Sequence, residues 1–182
     1  MITEITPAQK AQMPLYVAKY TSIGLDTSPT DRPRAIKAMR DLTDVSARKA
    51  ERYIEMIVDD NDPASIAAYH ACEPAKGEIA IIAGKFSTIK RLIAESGGDA
   101  SSALVYAQHS AATPAFYMFM VQVMGVTNFT KPEDLVAERT QALHDFSVYC
   151  GLVFDFENAL FVCDKPTAHN LRDDGKYDVV FE

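Results

Sequence analysis

Histidine, glutamine and carboxylate side chains are the groups in this sequence best suited to chemistry. His109 follows Gln108, and the pair His144-Asp145 and Asp164 come later in the chain. Separated His, His-Asp and Asp ligands on a helical scaffold are what a metal-dependent hydrolase needs. The surroundings of His144 do not resemble those of such a site, and any helical protein with four histidines offers a similar set by chance. We therefore predict no metal site and assign no catalytic residue.

Short motifs that define several enzyme classes are missing from the sequence. It contains no glycine-rich phosphate loop, no Gly-x-Ser-x-Gly turn and no His-Glu-x-x-His helix. Phosphate binding, serine hydrolysis and zinc proteolysis each depend on one of these local arrangements. We therefore expect no cofactor, and the sequence favours a binding protein over an enzyme without deciding between them.

The charge balance of the chain disfavours nucleic acid as a partner. The formal net charge is −7, which repels polyanions and anionic membranes over long range. One window, residues 31–52, carries seven Lys/Arg and four Asp/Glu, a net of +3. Lys37 and Asp41 in this window are four residues apart, a spacing typical of a solvated helix surface with internal ion pairs.

Cysteine usage and hydropathy predict a cytoplasmic protein. The three cysteines are odd in number and form no Cys-x-x-Cys motif, which disfavours both a disulfide framework and a zinc site. The first residues, MITEITPAQK, do not resemble a secretion signal, and no apolar run approaches the roughly 20 residues that cross a bilayer. We therefore expect no membrane association.

The elements that must position these groups are predicted to be mainly helices. A chain of 182 residues is suited to one domain, which we expect to span residues 1–182. Its helical body would cover about residues 6–150, and a small β element would cover about 151–182. This arrangement is an α+β fold, predominantly α-helical, with a C-terminal antiparallel hairpin or sheet.

Apolar residues at helical spacing predict four helices in the first part of the chain. The first, ending at Gly24, would turn Leu15, Ala18 and Ile23 inward, and the second would bury Ile36, Met39 and Leu42. The third would contain Tyr53, Ile54, Ile57 and Val58, and the fourth would run from Glu78 to Ser96.

The second part of the chain predicts two more helices and then strands. Residues 115–124 are apolar on all sides, which is typical of a helix at the centre of a core. Thr130 and Glu133 have the spacing of a capping box before another helix. LVFDF and ALFVC, separated by two residues, predict a hairpin, and YDVVF could add a third strand.

Three stretches of the chain resemble, in the same order, a bacterial and bacteriophage family known only as a domain of unknown function. They are SIGLDTSPTDRPRA, VYAQHSAATPAFYMFMVQVMGV and ENALFVCDKPTAHNLRDDGK. The family has a Leu-x-Thr-x-Pro-x-Asp-Arg element, matched by residues 25–32, and a Gly-Gln-His-Asp-Ala element, matched at three of five positions by residues 107–111. Its Arg-Pro-Thr element and Gly-Arg-Leu-His ending are similar to Lys165-Pro166-Thr167 and Gly175-Lys176, after which Tyr177 and Asp178 replace Leu-His.

The resemblance implies a candidate binding site. Asp31 and Arg32 end the first element and Gln108 and His109 lie in the second, so these four residues, if they converge, could bind an anion or an amide. The family's Asp after Gln-His and its final His are replaced here, which favours binding over chemistry. A polar pair that satisfies backbone groups at a helix start is the alternative interpretation of Gln108 and His109.

The function that the sequence favours is a non-enzymatic accessory protein, encoded by a phage or bacterium, that binds a host protein in the bacterial cytoplasm. A small hydrolase acting on a phosphoester or amide through His109 is the first alternative. An acidic inhibitor that imitates nucleic acid, directed against a host defence nuclease, is the second, and a virion component is the third. The sequence leaves the oligomeric state open.

Overall fold

A five-stranded β-sheet lies at the centre of the structure. The structure is a computed structural model, and it describes residues 4–46, 48–101, 104–126, 136–174 and 176–182. Of Leu104, His109, Ser110 and Val136 it describes the backbone but not the side chain. The strands are β1 (Arg52–Ile57), β2 (Glu78–Gly84), β3 (Leu104–Tyr106), β4 (Leu152–Asp155) and β5 (Ala159–Cys163). Their order is β1-β2-β5-β4-β3, with β1, β2 and β5 parallel and the last two pairs antiparallel.

Helices cover both faces of this sheet. They are α1 (Pro7–Gly24), α2 (Arg32–Asp44), α3 (Pro63–His70), α4 (Phe86–Glu95), α5 (Ala112–Gln122) and α6 (Val136–Tyr149), with a short 3-10 helix (Gln108–Ala111) before α5. None of the helices in the described ranges is long and apolar enough to cross a membrane. Two further strands, β6 (Ala168–Leu171) and β7 (Tyr177–Val180), pair with each other as an antiparallel ribbon.

The central strand β2 explains how the two faces are held. Its residues alternate, so that Ile79 and Ile81 pack in a cluster with α2 and α6, while Ala80 and Ile82 pack in a cluster with α4. All but the first of its residues are buried, as is usual for a strand covered on both sides. Hydrophobic burial on both faces is therefore the main force that fixes the sheet.

The mixture of helices and strands confirms the coarse α+β assignment, but the predicted helical body is wrong in detail. Residues 53–57 belong to β1, and residues 78–96 form β2 followed by α4 rather than one helix. Both segments are apolar runs of strand length, which periodicity alone cannot distinguish from buried helix. The sheet therefore begins at Arg52 and is not confined to the C-terminal part.

The C-terminal prediction is partly confirmed. Strands β4 and β5 form the expected antiparallel hairpin, with Asp155 opposite Leu160, but they join the large sheet. Residues 177–180 do form a strand, yet they pair with β6 rather than with the hairpin. The proposed capping box at Thr130 and Glu133 lies outside the described residues.

Two helices are more exposed than their sequences predict. In α1, Leu15 and Ala18 face solvent, and Tyr20 is the buried residue. In α5, Phe116 is exposed although Met118 and Phe119 are buried, so this helix does not lie at the centre of the core. The reason is that α1 and α5 pack on each other and on α6, outside the layer that covers the sheet.

Candidate functional site

The loop of residues 25–31 is tied to the end of strand β5. Arg32 follows this loop and donates two hydrogen bonds to Asp164, from Nε to Oδ1 at 2.9 Å and from Nη2 to Oδ2 at 2.7 Å. Nη1 of Arg32 also lies 3.6 Å from Oδ2 of Asp59, which follows β1. The hydrogen bonds to Asp164 are the main reason that the pKa of Arg32 is raised. One guanidinium thereby joins the start of α2 to two strand ends.

Lys165 forms the second tie between the same segments. Lys165 is 8% exposed, and its ammonium nitrogen lies 2.6 Å from Oδ2 of Asp26 and 2.8 Å from Oγ of Ser28. Its backbone N–H donates to Oγ1 of Thr30 at 2.7 Å. Burial would raise the pKa of Asp26, but the hydrogen bonds from Lys165 and Ser28 outweigh this effect and hold it below the usual range. A buried ammonium is stable here because its charge is paired.

A polar cavity of about 540 Å³ opens beside these two ties. It lies at the carboxyl ends of the parallel strands, the usual place for a ligand in an open α/β sheet. Its lining includes Asp31, Arg32, Lys85, Asp164 and Lys165. Most of these charges are already in ion pairs: Asp31 with Arg34, Asp164 with Arg32 and Lys165 with Asp26. The paired charges make this region a structural clamp between loop and sheet.

Gln108 connects the 3-10 helix to the end of α1. It is 2% exposed; its Nε2 donates to the carbonyl oxygens of Ile23 at 3.1 Å and Asp26 at 2.7 Å, and its Oε1 accepts from the hydroxyl of Tyr106 at 2.8 Å. The amide side chain is thus satisfied on both sides. The structure places Gln108 as a buried bridge to carbonyl groups at the end of α1 and in the loop that follows, whereas the alternative interpretation expected it to satisfy backbone groups at a helix start.

The three candidate residues whose side chains the structure describes do not line one pocket. Asp31 and Arg32 line the polar cavity, and Asp31 also caps α2 by accepting a hydrogen bond from the backbone N–H of Arg34 at 3.1 Å. Gln108 lines a different groove. The backbone of His109 lies in the 3-10 helix, and its side chain is not among those described. All three elements of the family resemblance nevertheless meet, because the 25–32 loop contacts both Gln108 and Lys165.

His144 and Asp164, two of the residues considered above as metal ligands, have other partners in the structure. His144 Nδ1 lies 2.7 Å from the hydroxyl of Tyr20, and burial with the nearby charge of Lys19 lowers the pKa of His144. Asp164 is paired with Arg32. In the described part of the chain, no group of three or more His, Cys, Asp or Glu side chains could hold a metal ion.

An apolar groove, which we call the α1–α5 groove, lies between α1, α5, the 3-10 helix and the β6–β7 ribbon. Its volume is about 510 Å³, and its walls include Met13, Tyr16, Val17, Ala112, Phe116 and Tyr177. Val17 is 63% exposed and Phe116 is 57% exposed, one on each helical wall. Large apolar side chains grouped at a concave surface are typical of a binding site.

The sequence did not predict this groove, because core packing was the preferred interpretation of the apolar residues of α1 and α5. A signal was present in α1, where apolar residues occur on opposite sides of the helix: Val17 lines the groove, whereas Leu15 does not and is exposed. A helix that carries apolar residues on an outward side either has a further partner or is fully buried. Pairing of α1 with α5 leaves the outer sides of both helices open.

Comparisons of the chain with models of known protein families, with curated proteins and with solved structures return no match.

Proposed function

We propose that the protein is a non-enzymatic binding protein that takes a segment of a host protein into the α1–α5 groove. In keeping with the family resemblance, it would be an accessory protein encoded by a bacterium or phage and would act in the bacterial cytoplasm. The observation that carries this proposal is the exposure of Val17 and Phe116 on facing walls of a concave apolar surface.

The energetic argument rests on the apolar surface that the groove leaves in water. Fully burying a Val or Phe side chain contributes about 1.5–3 kcal/mol relative to leaving it exposed. Four large apolar side chains of this groove, Met13, Val17, Phe116 and Tyr177, are 43–63% exposed, so the protein itself covers them only in part. A partner that covers them would therefore gain affinity from the hydrophobic effect, with Phe116 as an aromatic anchor.

The polar candidate residues support binding over catalysis. Asp31 caps a helix, Arg32 is paired with Asp164, and Gln108 bridges two backbone carbonyls. A side chain committed to the fold in this way is not available to bind substrate or transfer a proton without loss of stability. Of the four candidate residues, His109 is therefore the one left for the hydrolase alternative.

The acidic-mimic alternative gains no support from the carboxylates near the polar cavity. Asp59 and Asp164 both contact Arg32, and Asp60 contacts Arg91 at 2.5 Å. A surface that imitates nucleic acid needs a row of carboxylates that are free to meet the basic site of a nuclease. Carboxylates already paired with arginine are poorly suited to that role.

Affinity capture with two matched variants tests the proposal. Val17→Glu places a charge in the groove, and Ala68→Glu places the same charge on the exposed surface of α3, on the other face of the sheet. The tagged wild type and Ala68→Glu should recover the same partner from host-cell lysate, and Val17→Glu should lose it while remaining folded by circular dichroism. Recovery of the partner by Val17→Glu in wild-type amount, or of no partner by the wild type, would contradict the proposal.

A further inference from the structure

We infer that strand β1 pairs antiparallel with β1 of a second copy of this chain, so that the two five-stranded sheets join into one continuous sheet. This inference goes beyond the proposed function and is independent of it, because no residue of β1 lines the α1–α5 groove. It rests on the unpaired backbone of β1, on the side chains along this edge, and on the register that these side chains select.

The backbone of β1 is open on the side away from β2. The N–H of Val58 donates to the carbonyl oxygen of Ala83 at 2.8 Å, and Ile57 stands opposite Ala83 in the register of the two strands. Backbone groups of successive strand residues point to alternate sides, so Tyr53, Glu55 and Ile57 direct their N–H and C=O groups outward. Among the residues that the structure describes, none is hydrogen-bonded to these outward groups. Such an edge is a template for another strand.

Strand β1 lacks the features that usually keep an edge strand from pairing. It is six residues long, contains neither Pro nor Gly, and keeps an uninterrupted register with β2. Its two charged side chains are already paired within the chain. Nη1 of Arg52 lies 3.2 Å from Oε1 of Glu78, and Oε1 of Glu55 accepts a hydrogen bond from Nη1 of Arg40 at 2.8 Å. An approaching strand therefore meets no unpaired charge on β1.

Apolar side chains along β1 are only partly covered. Ile54 and Met56 pack at the border of the cluster beneath α4 and are half-buried, and Ile57 is 41% exposed. In β2, one strand further in, all residues but the first are buried. A strand added beside β1 would cover Ile54 and Met56 as β1 covers β2, so the hydrophobic effect favours the pairing as well.

The charges of β1 select one register for a two-fold pair of copies. With Glu55 on the axis, the two Glu55 carboxylates would stand directly opposite each other, and with Tyr53 on the axis Glu51 would stand opposite Glu55. Like charges at such positions are destabilising. With Ile54 on the axis, Ile54 packs against its own copy, and Tyr53 of each chain exchanges backbone hydrogen bonds with Glu55 of the other. Axis positions nearer either end of β1 pair fewer of its residues. The strand is therefore complementary to itself in the register centred on Ile54.

Sedimentation and cysteine cross-linking of the full chain test this pairing. The mass of the wild type should rise with protein concentration from that of one chain towards that of two. In Ile54→Cys the two Cα atoms would be about 4.5 Å apart in a non-hydrogen-bonded pair, within the range that a disulfide spans, so mild oxidation should give a covalent dimer. Met56→Cys on the same face is the control, because the shift of four residues separates its two copies by about 14 Å along the strands. The wild type under the same oxidant corrects for the three native cysteines.

Three results would overturn the inference. A wild type that keeps the mass of one chain up to about 1 mM would show that the edge does not pair specifically. If the protein self-associates but Ile54→Cys gives no more covalent dimer than Met56→Cys, the contact lies elsewhere or in another register. If Val17→Glu abolishes self-association, the second copy binds in the α1–α5 groove instead of at β1.

Discussion

Arg32 and Asp164 form a bidentate ion pair between residues 132 positions apart, with nitrogen–oxygen distances of 2.9 and 2.7 Å. The pair fixes the first residue of α2 against the segment that follows β5. Beside it, Lys165 binds the 25–31 loop, so that two cations hold the loop to the carboxyl edge of the sheet. This clamp explains why the sequence elements around Asp31 and Lys165 are polar, since most of the charges beside the polar cavity are paired with one another.

Asp164→Asn should destabilise the fold. The substitution removes the negative charge while keeping the shape of the side chain, and it weakens two charge-assisted hydrogen bonds in a region mostly shielded from water. We expect the free energy of unfolding to fall by about 2 kcal/mol. Urea unfolding measures this change, and Asp178→Asn, which affects an exposed pair with Arg172, should cost less than about 1 kcal/mol. Equal losses of unfolding free energy in the two variants would show that the Arg32–Asp164 pair does not act as a clamp.

Lys165→Met should destabilise the protein most near neutral pH. The pKa of Asp26 is lowered in the folded state, so its contribution to stability is present above its unfolded value of about 3.8 and is lost as the pH falls through the folded pKa. Without the ammonium, burial of Asp26 is no longer compensated and favours its protonated form. The difference in unfolding free energy between wild type and variant should therefore narrow below about pH 4. A difference in unfolding free energy that stays constant from pH 7 to pH 3 would contradict this role of the Lys165–Asp26 pair. The control is Lys85→Met, at an exposed lysine of the same cavity.

Gln108→Glu should destabilise the protein more than its small size change suggests. The amide nitrogen that donates to the carbonyls of Ile23 and Asp26 becomes an oxygen, which places a buried carboxylate against two acceptors. We expect a loss of at least about 2 kcal/mol in the free energy of unfolding. Gln122→Glu is the matched control, because its side-chain oxygen accepts from Tyr16 at the surface and a glutamate can do the same. A Gln108→Glu variant as stable as this control would show that Gln108 is not a structural bridge.

His144 should make stability fall in mild acid. Its folded pKa lies below the usual 6.5, mainly because of burial, with Lys19 lowering it further and Asp145 opposing. The unfolded chain therefore binds the proton more readily, and stability should decrease as the pH falls from about 6.5 to the folded pKa. His144→Asn, whose side-chain oxygen can still accept from Tyr20, should lose this part of the slope. His70→Asn on α3 is the control. If the slope of unfolding free energy against pH were unchanged in His144→Asn, His144 would not be the cause of the loss of stability in mild acid.

The sequence predicted some elements of the fold and not others, for physical reasons. The helix containing Ile36 and Met39 and the β4–β5 hairpin were predicted because amphipathic periodicity and turn-bounded β-branched runs are local signals. Strand β2 was not, since a strand buried on both faces has no polar alternation that separates it from a helix. Its pairing with β5, about 80 residues later, depends on long-range packing that local spacing does not encode.

For the candidate site, the sequence indicated only some of the residues that line the polar cavity. The resemblance pointed to Asp31 and Arg32, which do line a cavity, but not to the partner of Arg32, because Asp164 is distant in sequence. The groove was not predicted because an apolar helix such as α5 looks like core until its neighbours are known. Exposure of Phe116 follows from the position of α5 in the outer layer, which is a property of the tertiary structure.

Site-specific photo-cross-linking in the host cell tests the central claim most directly. A p-benzoylphenylalanine residue replaces Val17 in the groove or Ala68 on α3, and mass spectrometry identifies the cross-linked peptides. We expect position 17 to form an adduct with one segment of another protein, and position 68 to form none with that segment. Cross-links from position 17 only to residues 127–135 of the same chain, only to a second copy, or to nothing would contradict the account.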